Sequence, residues 1–165
     1  MKIRGFKVCR DYLDKDIILP KRSTKNSAGY DFCCAEDVVI ESYFKKVLKA
    51  ITNKEEEVLK PTLIKTGVKA YMQEDEVLYI YNRSSNPMKK GLVMANSVGV
   101  IDSDYFENPD NDGHIMFAFY NFYPFDITIK KGDKIGQGVF QKFLITDDDK
   151  TEGERKGGFG STGER

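Results

Sequence analysis

The chain has 165 residues, the size of one domain, and 40% of them are hydrophobic, which is enough for a sizeable core. Its 26 Lys and Arg residues balance its 26 Asp and Glu residues, and the formal net charge of zero argues against generic binding to nucleic acid. No apolar run approaches the roughly 20 residues of a membrane-spanning helix, and the N-terminal sequence lacks the apolar segment of a signal peptide. We therefore expect a cytoplasmic protein that binds neither nucleic acid nor membrane and holds any phosphate locally.

Short segments that alternate apolar and polar residues predict β-strands along most of the chain. Turn residues separate these segments at intervals typical of an all-β sandwich or barrel. The only helix that we expect is one turn at residues 87–90, and the acidic sequence KEEEV should be a loop or a strand margin. The predicted strands are KIRGFKV, DVVIES, KKVLKAI, TLIKTGVKAYM, EVLYIY, HIMFAFYNF, FDITIK and KIGQGVFQKF.

Residues 83–105, with the sequence RSSNPMKKGLVMANSVGVIDSDY, concentrate polar groups that packing alone does not explain. Near the start of this stretch, Asn86 can cap a helix, Pro87 suits the first helical position and Gly91 can end the helix. A helix N-terminus favours negative charge, so the cation and two hydroxyls at 83–85 would suit a phosphate. On this segment alone, an ordinary surface turn is an equally good interpretation.

The same stretch ends in Asp102, Asp104 and Tyr105, which follow a predicted strand. The three cysteines have no metal-ligand spacing and are expected to be packing residues, and the only histidine, His114, is expected in a loop or at a strand edge. No Cys/His cluster offers a zinc site, and no Ser/His/Asp order offers a nucleophilic triad. Carboxylates, water, a divalent cation and phosphate remain, and these suit cleavage of a phosphoanhydride.

Residues 150–165, KTEGERKGGFGSTGER, form a C-terminal arm that follows a domain at residues 1–149. Charge, glycine and a single large apolar residue, Phe159, cannot bury enough surface for the arm to fold alone. It is either a flexible, solvated terminus or a lid that orders over a ligand. Ordering about ten residues costs on the order of 10 kcal/mol of backbone entropy, whereas one stack of a base on an aromatic ring returns about 1–3 kcal/mol. A lid therefore also needs contacts to phosphate oxygens from backbone amides and from the side chains of Arg155, Ser161 and Thr162.

Five motifs, in this order, resemble those of the trimeric deoxyuridine triphosphate nucleotidohydrolases, the dUTPases. The form found in Gram-positive bacteria and their phages is the most similar. The motifs are AGYDF at 28–32, RSS at 83–85, ANSVGVIDSDY at 95–105, KGDKIGQ at 131–137 and GGFGSTG at 157–163. The resemblance implies an all-β subunit, a distorted jelly roll or β-barrel of the dUTPase type with a mobile C-terminal tail.

The resemblance also implies that the protein is a dUTP diphosphatase, an enzyme that depends on Mg²⁺ and releases dUMP and pyrophosphate. Such an enzyme lowers dUTP, which prevents uracil incorporation into DNA, and supplies dUMP for thymidylate synthesis. The family forms homotrimers with shared active sites: one subunit supplies the base pocket, a neighbour supplies the motif at 83–85, and the third lends its tail. The Mg²⁺ ion would be held by the triphosphate and by water, with no direct protein ligand.

The family's catalytic position corresponds to Asp102, which would hold and deprotonate the water that attacks the α-phosphorus and would contact the 3′-hydroxyl. An ordinary aspartate is only weakly basic, so most of the acceleration would come from alignment and the metal. The uracil-reading wall corresponds to Asn96 with the backbone around Val100 and Ile101. Tyr105 corresponds to the ring that packs beneath the sugar and leaves no room for a 2′-hydroxyl.

The other roles implied by the resemblance concern the phosphates and the arm. Asp31 would support the site by ordering waters near the metal, and Asp104 would be structural, although a turn-capping carboxylate is equally plausible for both. The residues that correspond to substrate-binding positions around the phosphates and in the arm are Arg83, Ser84, Ser85, Gln137, Arg155, Phe159, Gly160 and Ser161.

The sequence departs from the family pattern at two places. Glu154 occupies the position where the family has an arginine, so Arg155, one residue later, is the expected γ-phosphate ligand, with Lys156 able to substitute. Phe106 replaces the glycine after the third motif, and the following residues add length, so residues 106–116 receive no role.

Two alternatives stay open. A dCTP deaminase shares the fold but would need a further catalytic glutamate. A regulatory module could engage a protein partner such as a repressor, with FENPDNDGH as the surface.

Overall fold

A computed structural model of the chain describes residues 2–54, 56–153, 155 and 157–158. Within this part the fold is mostly β, with two α-helices, α1 (Tyr43–Asn53) and α2 (Ser85–Lys90), and three short 3-10 turns at Arg10–Tyr12, Glu56–Leu59 and Ser103–Tyr105. The strands are β1 (Gly5–Val8), β2 (Lys21–Arg22), β3 (Tyr30–Cys33), β4 (Val38–Ile40), β5 (Thr62–Lys65), β6 (Val68–Tyr71), β7 (Glu76–Asn82), β8 (Leu92–Met94), β9 (Val98–Asp102), β10 (Met116–Asn121), β11 (Ile127–Ile129) and β12 (Lys134–Lys142).

The largest sheet has five strands in the order β2-β3-β12-β7-β9, and all of its neighbours are antiparallel. A second sheet has the order β5-β10-β8, and two further sheets are the pairs β1-β6 and β11-β4. The last strand, β12, lies between β3 and β7, so strands that are far apart in the sequence pair in the middle of the largest sheet. This sheet carries most of the residues that the motifs single out.

Inward-facing side chains of these sheets share one core. The aromatic rings of Phe32 on β3 and of Phe117 and Phe119 on β10 are almost inaccessible to solvent. They pack with Leu78 and Ile80, which alternate along β7 and point to the same face. The core therefore packs against the Leu78 and Ile80 face of β7, and the opposite face carries Val77, Tyr79 and Tyr81.

The segment KKVLKAI was expected to be a strand, and the structure shows that this prediction was wrong, because it lies in α1. Short apolar runs fit a period of two or of 3.6 residues, so the sequence alone does not separate the two. The start of the helix is fixed by Asp126, which accepts hydrogen bonds from the Ser42 backbone N–H at 3.0 Å and from the Lys45 ammonium at 3.0 Å. The helix ends at Lys54, which has a left-handed conformation with φ 56°.

None of the helices in the described ranges is both long and apolar enough to cross a membrane. The three cysteines, Cys9, Cys33 and Cys34, are free thiols, and two of them are buried. Burial raises the pKa of the Cys9 thiol to about 12, so this group stays protonated and unreactive. The expectation that cysteines serve packing is thus confirmed for Cys9 and Cys34.

His114 lies in a loop before β10, as expected, and it is 8% exposed. Its Nε2 accepts a hydrogen bond from the Gly67 backbone N–H at 2.9 Å, and its ring lies 5.0 Å from the ring of Tyr12. Burial, reinforced by the positive charge of Lys65, lowers the pKa of His114 from 6.5 to about 4. The folded protein therefore holds this imidazole in its neutral form.

Lowering the pH should therefore destabilise the folded protein, because it disfavours a protonated His114. Between pH 6.5 and about pH 4 the unfolded chain binds a proton at His114 that the folded chain does not, so stability falls as the pH falls through this window. We expect the wild type to lose about 2–3 kcal/mol more than His114→Gln over this range. Urea unfolding of both proteins at several pH values measures the difference, and parallel pH profiles would contradict it.

Candidate active site

Strand β7 connects the two halves of the predicted site. Arg83 follows its last residue, Asn82, whereas Asp102 lies opposite Val77 near its beginning. Arg83 is six positions beyond Val77, which corresponds to roughly 20 Å along a strand. The predicted phosphate-binding residues and the predicted catalytic carboxylate therefore occupy opposite ends of the same strand within one chain.

At the end of β7 that leads to Arg83, the Asp31 carboxylate is surrounded by two cations and a hydroxyl group. Its Oδ2 accepts hydrogen bonds from the Lys134 ammonium at 2.6 Å and from the Ser23 hydroxyl at 2.7 Å. The Nε of Arg83 lies 3.8 Å from Asp31 Oδ1, and its Nη1 donates to the Lys134 carbonyl oxygen at 3.3 Å. Burial raises the pKa of Asp31, but the hydrogen bonds from Lys134 and Ser23 outweigh it and lower the pKa below its ordinary value. Two cations around one ionised carboxylate leave a net positive charge for an anion.

Gln137 lies in β12 between Asp31 on β3 and Tyr81 on β7. Directly opposite residues of antiparallel strands point to the same face, so these three side chains stand side by side. Gly29 touches the Gln137 amide, because a Cβ atom at Gly29 would lie 2.5 Å from Gln137 Oε1. The motifs AGYDF and KGDKIGQ therefore meet here, and the glycine leaves room for the glutamine.

Helix α2 begins at Ser85 with Ser84 at the N-cap position, two residues earlier than expected. The prediction that Asn86 caps the helix was wrong. Its side chain is buried, and Nδ2 donates to Asn82 Oδ1 and to the Ile135 carbonyl oxygen, both at 2.8 Å. A buried amide needs such partners, and here they hold the helix to the ends of β7 and β12. Gly91 ends the helix with φ 59°, as expected.

Strand β9 runs from the turn that contains Asn96 to Asp102, and it is an edge of the five-stranded sheet in the described chain. An edge strand has backbone N–H and C=O groups that no neighbouring strand uses. The side chain of Val100 is exposed, whereas Ile101 is buried, so Ile101 can contribute only its backbone to a ligand. Asn96 is exposed at the same end of the sheet as Arg83.

At the end of β9 that carries Asp102, the Arg155 guanidinium bridges two carboxylates. Its Nη2 donates to Asp102 Oδ2, and its Nε donates to Asp104 Oδ1 at 2.7 Å. Burial raises the pKa of Asp102 above its ordinary value; the negative charge of Asp104 adds to this, and the positive charge of Arg155 opposes it. A raised pKa makes Asp102 a stronger base than the ordinary aspartate assumed from the sequence.

Tyr105 is 5% exposed, and its hydroxyl is held on both sides. It donates to the His114 carbonyl oxygen at 3.0 Å and accepts from Asn111 Nδ2 at 2.7 Å. The Arg155 guanidinium carbon lies 5.6 Å from the centre of the Tyr105 ring. Arg155 thus covers the ring that the resemblance assigns to the sugar, and a nucleotide placed there must displace it.

The structure brings together the predicted residues in two clusters. Sequence reasoning missed Lys134 and Ser23, the two partners of Asp31. Lys134 lies inside the motif KGDKIGQ, which was the available signal, whereas nothing in the sequence marks Ser23. The predicted contacts of Lys156, Phe159, Gly160 and Ser161 lie outside the described residues.

Comparisons with known proteins agree with the motifs. A family model described as dUTPase matches residues 48–163. The deoxyuridine 5′-triphosphate nucleotidohydrolase of Lactococcus lactis subsp. lactis is 52% identical over 165 residues and covers 99% of each chain. A protein of the same name from Desulfitobacterium hafniense is 34% identical over 155 residues, which are 91% of this chain and 90% of that one.

Solved structures give the same result. The dUTPase from Streptococcus mutans superposes with a TM-score of 0.71 at 43% identity, covering 87% of this chain and 98% of that chain. The dUTPase from phage phi11 of S. aureus superposes with a TM-score of 0.66, covering 92% and 97%, and at 21% identity it supports the fold alone. The expected all-β fold of the dUTPase type is confirmed. On these matches, the chain belongs to the dUTPase family.

Proposed function

We propose that this protein hydrolyses dUTP to dUMP and pyrophosphate, and thereby lowers dUTP and supplies dUMP for thymidylate synthesis. The observation that carries the proposal is the placement of Asp102 beside Tyr105 at one end of an edge strand whose other end leads to Asn96. The full-length identity of 52% to a protein named deoxyuridine 5′-triphosphate nucleotidohydrolase supports it. The three free thiols agree with a cytoplasmic location.

A nucleotide bound along β9 has its uracil at Asn96 and the backbone around Val100 and Ile101, where amide and peptide groups can pair with the base edge. A closed wall at this point rejects the methyl group of thymine by steric clash. The sugar lies on Tyr105 once Arg155 has left the ring, and the α-phosphorus lies at Asp102. Asp102 then holds a water in line with the phosphorus and accepts its proton.

The phosphate-binding residues of the same chain cannot serve this nucleotide. Arg83, Ser84 and Ser85 lie at the Asn96 end of the sheet, as does Gln137, whereas the phosphates of the bound nucleotide lie at the Asp102 end. Base and triphosphate are opposite ends of a nucleotide, and roughly 20 Å of strand separate the two clusters. These four residues therefore act on a nucleotide bound to another copy, which supports a homotrimer with shared sites.

The donor set fits a magnesium ion that arrives with the substrate. Mg²⁺ is commonly held by substrate phosphates, waters and one or two carboxylates, and Asp31 beside Arg83 is placed to order such waters. When bound, the ion neutralises charge on the phosphates and on the leaving pyrophosphate. A phage phi11 dUTPase structure is described with a structural Mg(II) ion.

Residues 150–165 act in this proposal as an arm on the 1–149 domain. Arg155 meets the γ-phosphate, and Phe159, Gly160 and Ser161 complete the cover over the nucleotide. A repressor-type partner is a secondary proposal: the dUTPase of Staphylococcus bacteriophage 80alpha is described as controlling the transfer of virulence genes. At 21% identity that neighbour shares the fold alone with this chain.

Pyrophosphate release from dUTP, dTTP, dCTP and UTP, each with and without Mg²⁺, tests the proposal. We expect rapid release from dUTP with Mg²⁺ and rates at least about 100-fold lower from the other three nucleotides, because dTTP and dCTP change the base edge at the uracil-reading wall and UTP adds a 2′-hydroxyl against the Tyr105 ring. Ammonia release from dCTP would indicate the deaminase alternative. Hydrolysis of dTTP and dCTP as fast as that of dUTP would contradict a uracil-reading wall, and equally fast hydrolysis of UTP would contradict the role of Tyr105.

Lys134→Met should weaken the phosphate cluster. Without the ammonium, Asp31 keeps Arg83 as its remaining cationic partner at 3.8 Å, and the positive charge offered to phosphate falls. Charge-assisted hydrogen bonds contribute about 1.5–3 kcal/mol, so we expect kcat/KM for dUTP to fall about 10- to 100-fold. Lys134→Arg should restore most of it. Because the Lys134 side chain is 45% exposed, the melting temperature should hardly change; a large drop would indicate a merely structural role.

A further inference from the structure

The exclusion of a 2′-hydroxyl requires a Tyr105 ring that does not give way. A wall that yields stops discriminating, and groups that form a site have to be held to within about 0.5 Å of their working position. The Tyr105 ring packs in the core, and its hydroxyl carries the two hydrogen bonds to His114 and Asn111 described above. Burial raises the pKa of Tyr105 above its ordinary value, so the hydroxyl keeps the proton that it donates. The ring is thus anchored at its polar tip as well as by packing.

The first partner of the hydroxyl, the carbonyl oxygen of His114, is tied to strand β6. The His114 ring accepts a hydrogen bond from the Gly67 backbone N–H, just before this strand. The next residue, Ile115, donates its own backbone N–H to the Val68 carbonyl oxygen at 2.9 Å. Bonds on both sides of the His114 carbonyl group therefore fix the place at which the Tyr105 hydroxyl donates.

The second partner, the side-chain amide of Asn111, has its orientation set by its oxygen. Asn111 Oδ1 accepts hydrogen bonds from Asn108 Nδ2 at 2.8 Å and from the Gly113 backbone N–H at 3.1 Å. Since two donors occupy the oxygen, the NH₂ group faces the Tyr105 hydroxyl. The hydroxyl has one proton, which it gives to the His114 carbonyl oxygen, so its bond to Asn111 exists only because the asparagine donates.

The loop at residues 106–113, which carries Asn111, is anchored to the domain through Lys69 on β6. The ammonium group of this buried residue pairs with Asp112 at 2.9 Å and with Glu107 at 3.0 Å. Leaving a buried charge without its partners is costly, so few positions of the loop satisfy the lysine. The fold itself therefore brings the Asn111 amide to the ring.

We propose that Asn111 is a positioning residue for the dUTP reaction: it holds the Tyr105 ring where the ring excludes a 2′-hydroxyl, and so sets the preference for deoxyribonucleotides over ribonucleotides. The inference rests on the proposed function, because it concerns the sugar-binding part of the same site. Asn111 acts through Tyr105 and not by contact with the nucleotide. It gives a role to the stretch at residues 106–116, in which the sequence departs from its family.

Steady-state kinetics with dUTP and with UTP test the proposal in the wild type and in Asn111→Leu, which has a similar volume and cannot donate. We expect the ratio of kcat/KM for dUTP to that for UTP to fall about 3- to 10-fold, the effect of one hydrogen bond. The fall should come from faster hydrolysis of UTP. The value for dUTP should stay within about twofold, because the ring remains beneath the sugar. Equal losses for both nucleotides would indicate a merely structural role and would overturn the proposal.

A double variant shows whether Asn111 acts through the Tyr105 hydroxyl. Tyr105→Phe keeps the ring and removes both of its hydrogen bonds, so its dUTP-to-UTP ratio should fall at least as far as that of Asn111→Leu. Adding Asn111→Leu to Tyr105→Phe should change the ratio no further, because the bond is already absent. A further fall in the double variant, or an unchanged ratio in Tyr105→Phe, would overturn the proposal.

Glu107→Gln is the matched control, since it removes a 51% exposed carboxylate from the same loop and leaves both bonds of the Tyr105 hydroxyl in place. Its ratio should equal that of the wild type. If Asn111→Leu does not fold, Asn111→Asp replaces it: one oxygen keeps the bonds to Asn108 and Gly113, the other cannot donate, and the same fall is expected. A wild type that does not hydrolyse dUTP would contradict the proposed function, whereas dUTP hydrolysis with a ratio that these variants leave unchanged would contradict this inference alone.

Discussion

Replacing Asp102 by asparagine should lower kcat for dUTP about 100- to 10,000-fold while leaving the dissociation constant for the nucleotide within a few-fold. The amide keeps the shape and can still accept a hydrogen bond from the 3′-hydroxyl, but it cannot take a proton from the attacking water. Loss of a general base has effects of this size. Single-turnover kinetics and binding of a non-hydrolysable dUTP analogue measure the two quantities.

Asp104→Asn is the matched control, since it removes a carboxylate one residue beyond Ser103 that also binds Arg155, at 2.7 Å. Because Asp104 is assigned a structural role, its replacement should change kcat less than about tenfold, which is the effect of one exposed ion pair. It also removes a negative charge that raises the pKa of Asp102, so the acidic limb of the pH profile should move to lower pH. Activity of Asp102→Asn close to that of the wild type would remove Asp102 as the base.

Deleting residues 154–165 should lower kcat/KM for dUTP about 100-fold or more without unfolding the domain. The deletion removes the Arg155 cation, the Phe159 ring and several backbone amides, and a charge-assisted hydrogen bond and a base stack contribute about 1–3 kcal/mol each. None of the buried side chains in the described core comes from beyond β12. The unfolding temperature without ligand should therefore change little.

The matched control is a deletion of residues 164–165 alone, which leaves the motif GGFGSTG intact and should leave activity unchanged. The stabilisation that dUTP or its analogue gives to the wild type should also be smaller in the protein without residues 154–165, because the contacts between the arm and the nucleotide are then lost. A drop of many degrees in the melting temperature without ligand would contradict the assignment of these residues as an arm.

Most strands could be predicted from the sequence because period-two segments with turn residues between them are a local signal. Helix α1 could not, since KKVLKAI fits both periods and its start depends on Asp126, far along the chain. The role of Asn86 was missed for a similar reason: its partners are Asn82 and Ile135, and the latter lies on a strand that pairs only in the folded protein. In both cases the structure depends on residues that become neighbours only in the folded protein.

The motifs indicated which residues belong to the site, but not where they lie relative to one another. The register of β7 with β9 separates Arg83 from Asp102, and no local pattern reports a register between strands. The bond from Lys134 to Asp31 spans 103 positions of the chain, so the sequence did not show how the cluster is held together. Conversely, glycine at 91 marked the end of α2 correctly, because a left-handed residue is a local requirement.

The position of water attack tests the central claim most directly. Hydrolysis of dUTP in water enriched in oxygen-18, followed by mass spectrometry of both products, shows which phosphorus receives the oxygen. If Asp102 aims a water at the α-phosphorus, the heavy oxygen appears in dUMP and the pyrophosphate stays unlabelled. Heavy oxygen in the pyrophosphate would mean attack at another phosphorus and would contradict the account.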